Sequence, residues 1–361
     1  MRDTAPWPGT TGGGLSTATD LIAQLAGEEG PAALLRARAA RAGRSVVLCE
    51  GEDERVVAAA LGLRELGLAR PILLGDPARV REQILGQGGD PGAFEIPGYD
   101  DPRLTAVAAR ILEQRIHKGM QELAAKELAS MPVFHGAGLV ALGVADAMVA
   151  GAVHSTAEVL RAGLWCVGPA AGIRTVSGSF LMLGPEGSRP LLFADCAVVV
   201  KPDEQQLVQI GMSSADTWRA LFGAEPRLAA LSFSTHGSSD HPAASRMALV
   251  AEQLREHGLQ ADGELQVDAA LVESVCAVKA PGSPVAGRAD VLLFPDLQSG
   301  NIAYKLVQRL GHYRAIGPLV QGLARPVFDL SRGCDASEIV DTAVIAVLAA
   351  ANSSSRSEGN P

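Results

Sequence analysis

Short apolar runs alternate with longer stretches of helical period along most of the chain. Ser45-Val46-Val47-Leu48-Cys49 is an apolar run that follows an Ala-rich basic helix, Ala32 to Ala42. Arg55 to Leu66 again has helical spacing. Pro71-Ile72-Leu73-Leu74-Gly75-Asp76 reads as a strand ending in a turn, with a helix from Pro77 to Leu85 behind it. Further strands are predicted at Ala147–Ala150, Leu191–Phe193, Leu228–Phe233, Val291–Phe294 and Pro326–Asp329. Further helices are predicted at Ala157–Cys166, Asp203–Phe222, Pro242–His257, Tyr304–Leu310 and Ala336–Ala350. Alternation of this kind predicts an α/β protein with mostly parallel strands.

The ends depart from the pattern. Residues 1 to about 18 are rich in Thr, Gly and Pro, and Asn352 to Pro361 are polar, so both read as flexible tails. The 361 residues suit two domains of ordinary size. Hydrophobic residues make up 47% and aromatic residues only 4%, so the core is mostly Ala, Val, Leu and Ile. A net charge of −9 argues against non-specific nucleic-acid binding but not against small anions held by a few arginines. The five cysteines, Cys49, Cys166, Cys196, Cys276 and Cys334, are widely spaced, which predicts free thiols and a cytoplasmic setting. No apolar run approaches the roughly 18 residues of a membrane span. Met1 to Leu15 has no apolar core of a secretory signal.

Familiar phosphate and dinucleotide loops are absent, and no histidine spacing suggests a metal. The candidate chemistry lies instead in polar segments at strand and helix ends. These are Glu50-Gly51-Glu52-Asp53-Glu54-Arg55, the basic Arg115-Ile116-His117-Lys118-Gly119-Met120, and Gly151-Ala152-Val153-His154-Ser155-Thr156, which leads to Arg161. Later come Ser232 to Ser238, Lys279 to Gly287, Phe294 to Asn301 with Lys305 and Arg309 beyond, and Asp329-Leu330-Ser331-Arg332-Gly333-Cys334. Small and hydroxyl residues at strand C-termini, helix N-termini and arginine forks are the groups that α/β sheets use to bind anions. His154 and His236 read as structural.

This ordered series, with Phe193-Ala194-Asp195-Cys196-Ala197 between its members, resembles phosphate acetyltransferase of the short, single-enzyme form. The resemblance covers residues 32 to 350. It implies reversible acetyl transfer between coenzyme A and phosphate, with CoA or acetyl-CoA as substrate and no permanently bound cofactor. It also implies two three-layer α/β domains flanking a cleft, related to isocitrate and isopropylmalate dehydrogenases. The first domain would comprise residues 19–172 plus 321–352 and the second 173–320, with tails at 1–18 and 353–361. Homodimerisation is expected, with no nucleic-acid or membrane partner.

Carried over, the family's phosphate- and CoA-interacting arginines fall on Arg115, Arg161, Arg309 and Arg332, and its catalytic serine on Ser331. The position of its catalytic aspartate, seven residues after that serine, holds Glu338 here. Asp335-Ala336-Ser337-Glu338 also has the spacing of a helix capping box, so Glu338 has both a structural and a catalytic reading. Asp335 and Asp341 are the fallback bases. Lys279 and Lys305 are candidates to hold CoA phosphates. The competing readings are a phosphate butyryltransferase, a decarboxylating dehydrogenase of related fold, and a non-catalytic CoA-binding relative.

Overall fold

The computed structural model describes residues 17–358, with side chains to residue 352. Residues 1–16 of the expected N-terminal tail, and residues 359–361 of the C-terminal one, lie outside the described residues. Thr17 and Ala18 already belong to structure: the Thr17 side chain accepts the Asp20 N–H and caps a helix, Ala18–Gly27. The last helix, Ala336–Glu358, carries helical backbone into the expected C-terminal tail.

Among the described residues, ten strands form two sheets. β1 (Ser45–Leu48), β2 (Arg70–Leu73), β3 (Ala147–Ala150) and β10 (Val327–Asp329) form an all-parallel sheet in the order β10-β3-β1-β2. Apart from Ser45, Arg70 and Asp329 at strand ends, its strands are apolar because helices cover both faces. The second sheet holds β4 (Ser177–Leu183), β5 (Leu191–Ala194), β6 (Arg227–Leu231), β7 (Gln260–Leu265), β8 (Val291–Leu293) and β9 (Arg314–Gln321), in the order β7-β6-β8-β5-β4-β9.

The seven strands expected from apolar runs are all present. β4, β7 and β9 are additional. β7 and β9 are the two edges of their sheet. An edge strand tolerates the Asp262, Gly263 and Glu264 of β7 and the Gly317 and Pro318 of β9, which erase the strand signal from the sequence. β4 runs antiparallel to β5 and β9, so the second sheet is mixed, while every other strand pairing is parallel, in line with the mostly parallel strands expected.

The last helix joins the halves. Ile339, Val340, Ala343, Val344 and Val347 are buried in one core cluster with Val46 and Leu48 of the first sheet and Leu181 and Leu192 of the second. A helix apolar on nearly all sides belongs between layers rather than on a surface. This packing fixes its N-terminal turn at the mouth between the two sheets.

Candidate active site

Three loops at the C-terminal edge of the first sheet are tied together by two charged residues. The Glu50 carboxylate, after β1, accepts the backbone N–H groups of Gly151, Ala152, Val153 and His154 and meets His154 Nδ1 at 2.8 Å. Burial alone would push Glu50 up, but the His154 ring and these N–H groups hold it below the ordinary carboxylate range. His154 is raised in turn, chiefly by its bond to Glu50.

Arg55 begins the helix after β1. Its guanidinium grips Asp53 and donates to the carbonyl oxygens of Ala152, Arg332 and Cys334. The segment after β10, which carries Ser331, is thereby fastened to the segments after β1 and β3.

Asp329, the last residue of β10, is 1% exposed. Thr156 Oγ1 donates to its Oδ2 at 2.6 Å, while Oδ1 has no hydrogen-bond partner. Burial, only partly offset by the Thr156 hydroxyl and reinforced by the nearby Glu50 charge, pushes Asp329 up to about 6. The close approach of this carboxyl needs Gly151: a Cβ there would sit 2.5 Å from Asp329 Oδ1, and the φ of +117° disfavours any side chain.

Ser331 is exposed, and its Oγ accepts the Gly333 N–H at 3.3 Å. Beyond it the last helix opens with a reciprocal cap. Asp335 Oδ1 accepts the Glu338 N–H at 2.9 Å, and Glu338 Oε2 accepts the Asp335 N–H at 3.2 Å. The Glu338 carboxyl is raised, first by burial and then by Asp335. Capping and a place in the cleft are therefore shared by the same side chain. The Cys334 thiol is pushed up to about 12 by burial, so it stays protonated.

The opposite wall comes from the second sheet. Asp296 caps the helix Leu297–Leu310, accepting the Ser299 N–H. Gly300 brings that helix against the Asp195 carbonyl, and Asn301 Nδ2 donates to the Cys196 carbonyl. Tyr304 stacks on Phe180 of β4, with ring centroids 4.0 Å apart.

Between the walls lies a cleft of about 570 Å³. Ser331 and Glu338 line it from one side, Lys305 and Arg309 from the other, and Asp329 and Thr156 lie in its lining as well. Arg332 is exposed beside Ser331. Arg115 and Arg161 are brought together elsewhere, with their guanidinium carbons 4.7 and 5.7 Å from the Trp165 ring centroid. Lys279 is in neither group: it pairs with Asp268 at 2.7 Å and with the Gln266 side chain. Among the described residues no group of metal-ligating side chains is found, and no helix is long and apolar enough to cross a membrane.

Asp329, Thr156, Asn301 and Tyr304 all stood inside or next to the sequence motifs without a role. Their only signal was position at a strand end or helix start.

An α/β chain with two sheets meeting at a cleft that holds two cations, two carboxyls and the Thr156 and Ser331 hydroxyls has the layout of a group-transfer enzyme. Residues 32–347 match the model of the phosphate acetyl/butaryl transferase family, and the chain belongs to that family. Phosphate acetyltransferase of Paracoccus denitrificans is 43% identical over 311 residues, which is 84% of this chain and 94% of that protein. The Escherichia coli phosphate acetyltransferase is 41% identical over 87% of this chain but only 44% of its own length. Among solved structures, a phosphotransacetylase from Streptococcus pyogenes superposes with a TM-score of 0.83 at 39% identity, covering 91% of this chain and 98% of that one. A 4-hydroxythreonine-4-phosphate dehydrogenase from Burkholderia phymatum shares the fold alone, at 15% identity and a TM-score of 0.52.

Proposed function

We propose that the protein is an acyltransferase that moves an acetyl group reversibly between coenzyme A and phosphate. The observation that carries this reading is the cleft itself, where the Glu338 carboxylate and the Ser331 hydroxyl face Lys305 and Arg309 in a chain of this family. A free thiol has a pKa of about 8.5, so little is ionised at neutral pH. Glu338 takes the proton of the CoA thiol, and the thiolate attacks the acetyl carbonyl in a ternary complex. Ser331 and Arg332 stabilise the developing oxyanion, worth about 3 to 4 kcal/mol for a well-placed donor. Arg309 and Arg332 hold the phosphate. Arg115 and Arg161, together against Trp165, form a separate cationic platform suited to the phosphates of CoA. Lys305 supports the same substrate from the cleft wall. The ion pair with Asp268 makes Lys279 the weakest member of the set.

On this reading the units are residues 19–172 with 321–352, and residues 173–320, flanking a cleft in a fold related to isocitrate and isopropylmalate dehydrogenases. Support comes from β10, which pairs with β3 although nearly 180 residues separate them. The protein would act in the cytoplasm as a homodimer.

The test is direct. Acetyl phosphate and CoA are mixed with the protein, and thioester formation and thiol loss are followed, with butyryl-CoA as a comparison in the reverse direction. Acetyl-CoA is expected well above the enzyme-free rate; its absence ends this reading.

A further inference from the structure

Two buried carboxyls meet at the rear of the cleft in opposite condition. Glu50 receives four backbone N–H groups and the His154 ring. Asp329, beside it, receives the Thr156 hydroxyl on one oxygen while the other oxygen has no partner. Glu50 is thus held as an anion, and its charge adds to the burial that favours a proton on Asp329. Environments that drive two neighbouring carboxyls apart separate an acid from a permanent charge. Thr156 is exposed and lines the cleft, so it is the link between buried Asp329 and any ligand there.

We propose that Thr156 and Asp329 form a proton relay to the phosphate, with Thr156 touching the substrate and Asp329 acting through it as the proton-holding, positioning residue. This rests on the acetyl-transfer reading above and adds a step to it. Loss of the CoA proton to Glu338 leaves the departing phosphate as a trianion, a strong base, unless a proton reaches it as the acetyl C–O bond breaks. When Asp329 is protonated, its O–H donates to Thr156 Oγ1, and the Thr156 hydrogen turns to the cleft. The bond between sulfur and the acetyl carbon forms, and the acetyl–O bond breaks. The leaving oxygen takes the Thr156 proton, and the Asp329 proton refills Thr156. The products are acetyl-CoA and HPO₄²⁻, with Glu338 protonated and Asp329 ionised; exchange with water resets both. In reverse, the same pair takes the proton from the attacking phosphate.

The charged groups around Asp329 are Glu50 with His154 bound to it and Arg55 on the next helix; Glu338, Lys305 and Arg309 line the same cleft. For the forward reaction Glu338 must be ionised and Asp329 protonated. The rate from acetyl phosphate therefore rises with pH as Glu338 ionises and falls again as pH passes about 6, where Asp329 loses its proton, so the profile should peak on the mildly acid side of neutrality.

Leaving-group dependence separates a proton relay from a packing role. Methyl phosphate departs as a dianion that needs no proton, since phosphomonoesters have a second pKa of about 6. Asp329→Asn and Thr156→Val are compared with wild type on acetyl phosphate and on acetyl methyl phosphate, with CoA as acceptor. Both variants are expected to lose about a hundredfold in kcat on acetyl phosphate. On acetyl methyl phosphate the loss is expected to be at least about tenfold smaller, since no proton is needed there. Thr156→Ser should restore the rate, and Asp329→Asn should lack the fall above about pH 6. Equal losses on both donors, or a wild-type rate in either variant, overturn the relay. If Asp329→Asn does not fold, Thr156→Val, which leaves the carboxyl in place, decides the matter alone. A wild type that makes no acetyl-CoA from acetyl phosphate refutes the acetyl-transfer reading, and the relay with it.

Discussion

On the proposed reading Glu338 carries two tasks, capping and proton removal, that one substitution can separate. Gln at the third helical position preserves a capping box, because its side-chain oxygen still reaches the cap N–H. It cannot accept a proton from a thiol. Glu338→Gln is therefore expected to lower kcat by about 10² to 10⁴, the usual contribution of a general base, with the urea midpoint almost unchanged. A retained kcat would return Glu338 to capping alone. Because burial and Asp335 raise its carboxyl, the acid limb of the kcat profile should lie above the ordinary carboxylate range. Glu50 has the opposite sign. Its folded pKa is lowered, so its stabilisation is complete above the ordinary carboxylate pKa and fades as pH falls through the folded value. Glu50→Ala would strand buried N–H groups and should cost at least about 3 kcal/mol in urea unfolding at neutral pH. At acid pH the gap to wild type should narrow.

Among the elements, the helix Leu297–Leu310 is held against the second sheet at one residue. Gly300 is its only fully buried position, and a Cβ there would collide with the Asp195 carbonyl. Gly300→Ala should push the helix outward, costing about 1 to 3 kcal/mol as an overpacked contact does. Because Lys305 and Arg309 ride on that helix, kcat/KM should fall more than stability suggests, measured beside the urea midpoint. The elements themselves were unevenly legible. Parallel strands such as Val46–Leu48 and Val291–Leu293 are apolar on both faces and stand out. β9 did not, because Gly317 and Pro318 look like a turn until an edge position beside β4 makes them tolerable. The motifs survived this, since they sit on loops whose glycine and hydroxyl content is itself the signal.

At the scale of the whole molecule, that same helix turns Ile302, Leu306 and Leu310 outward, each more than half exposed. Residues spaced by four lie along one face, and an apolar stripe of this kind fits the expected homodimer. Sedimentation equilibrium should find two chains per particle, and Leu306→Asp should yield monomers. A wild type that sediments as one chain would remove the dimer. The sequence by itself determined the α/β class, the strands of the parallel sheet and the family resemblance, which pointed to Ser331, Arg309 and Glu338 as candidates, because periodicity and motif order are local properties of the chain. Only the tertiary structure decided which side chains share a cleft. It set Lys279 against Asp268, gathered Arg115 and Arg161 on Trp165, and buried Asp329 beside Glu50 with one hydrogen-bond partner for its side chain. Burial and the supply of hydrogen-bond donors depend on segments a hundred or more residues apart, and these, not residue type, separate an anchored carboxylate from one able to carry a proton.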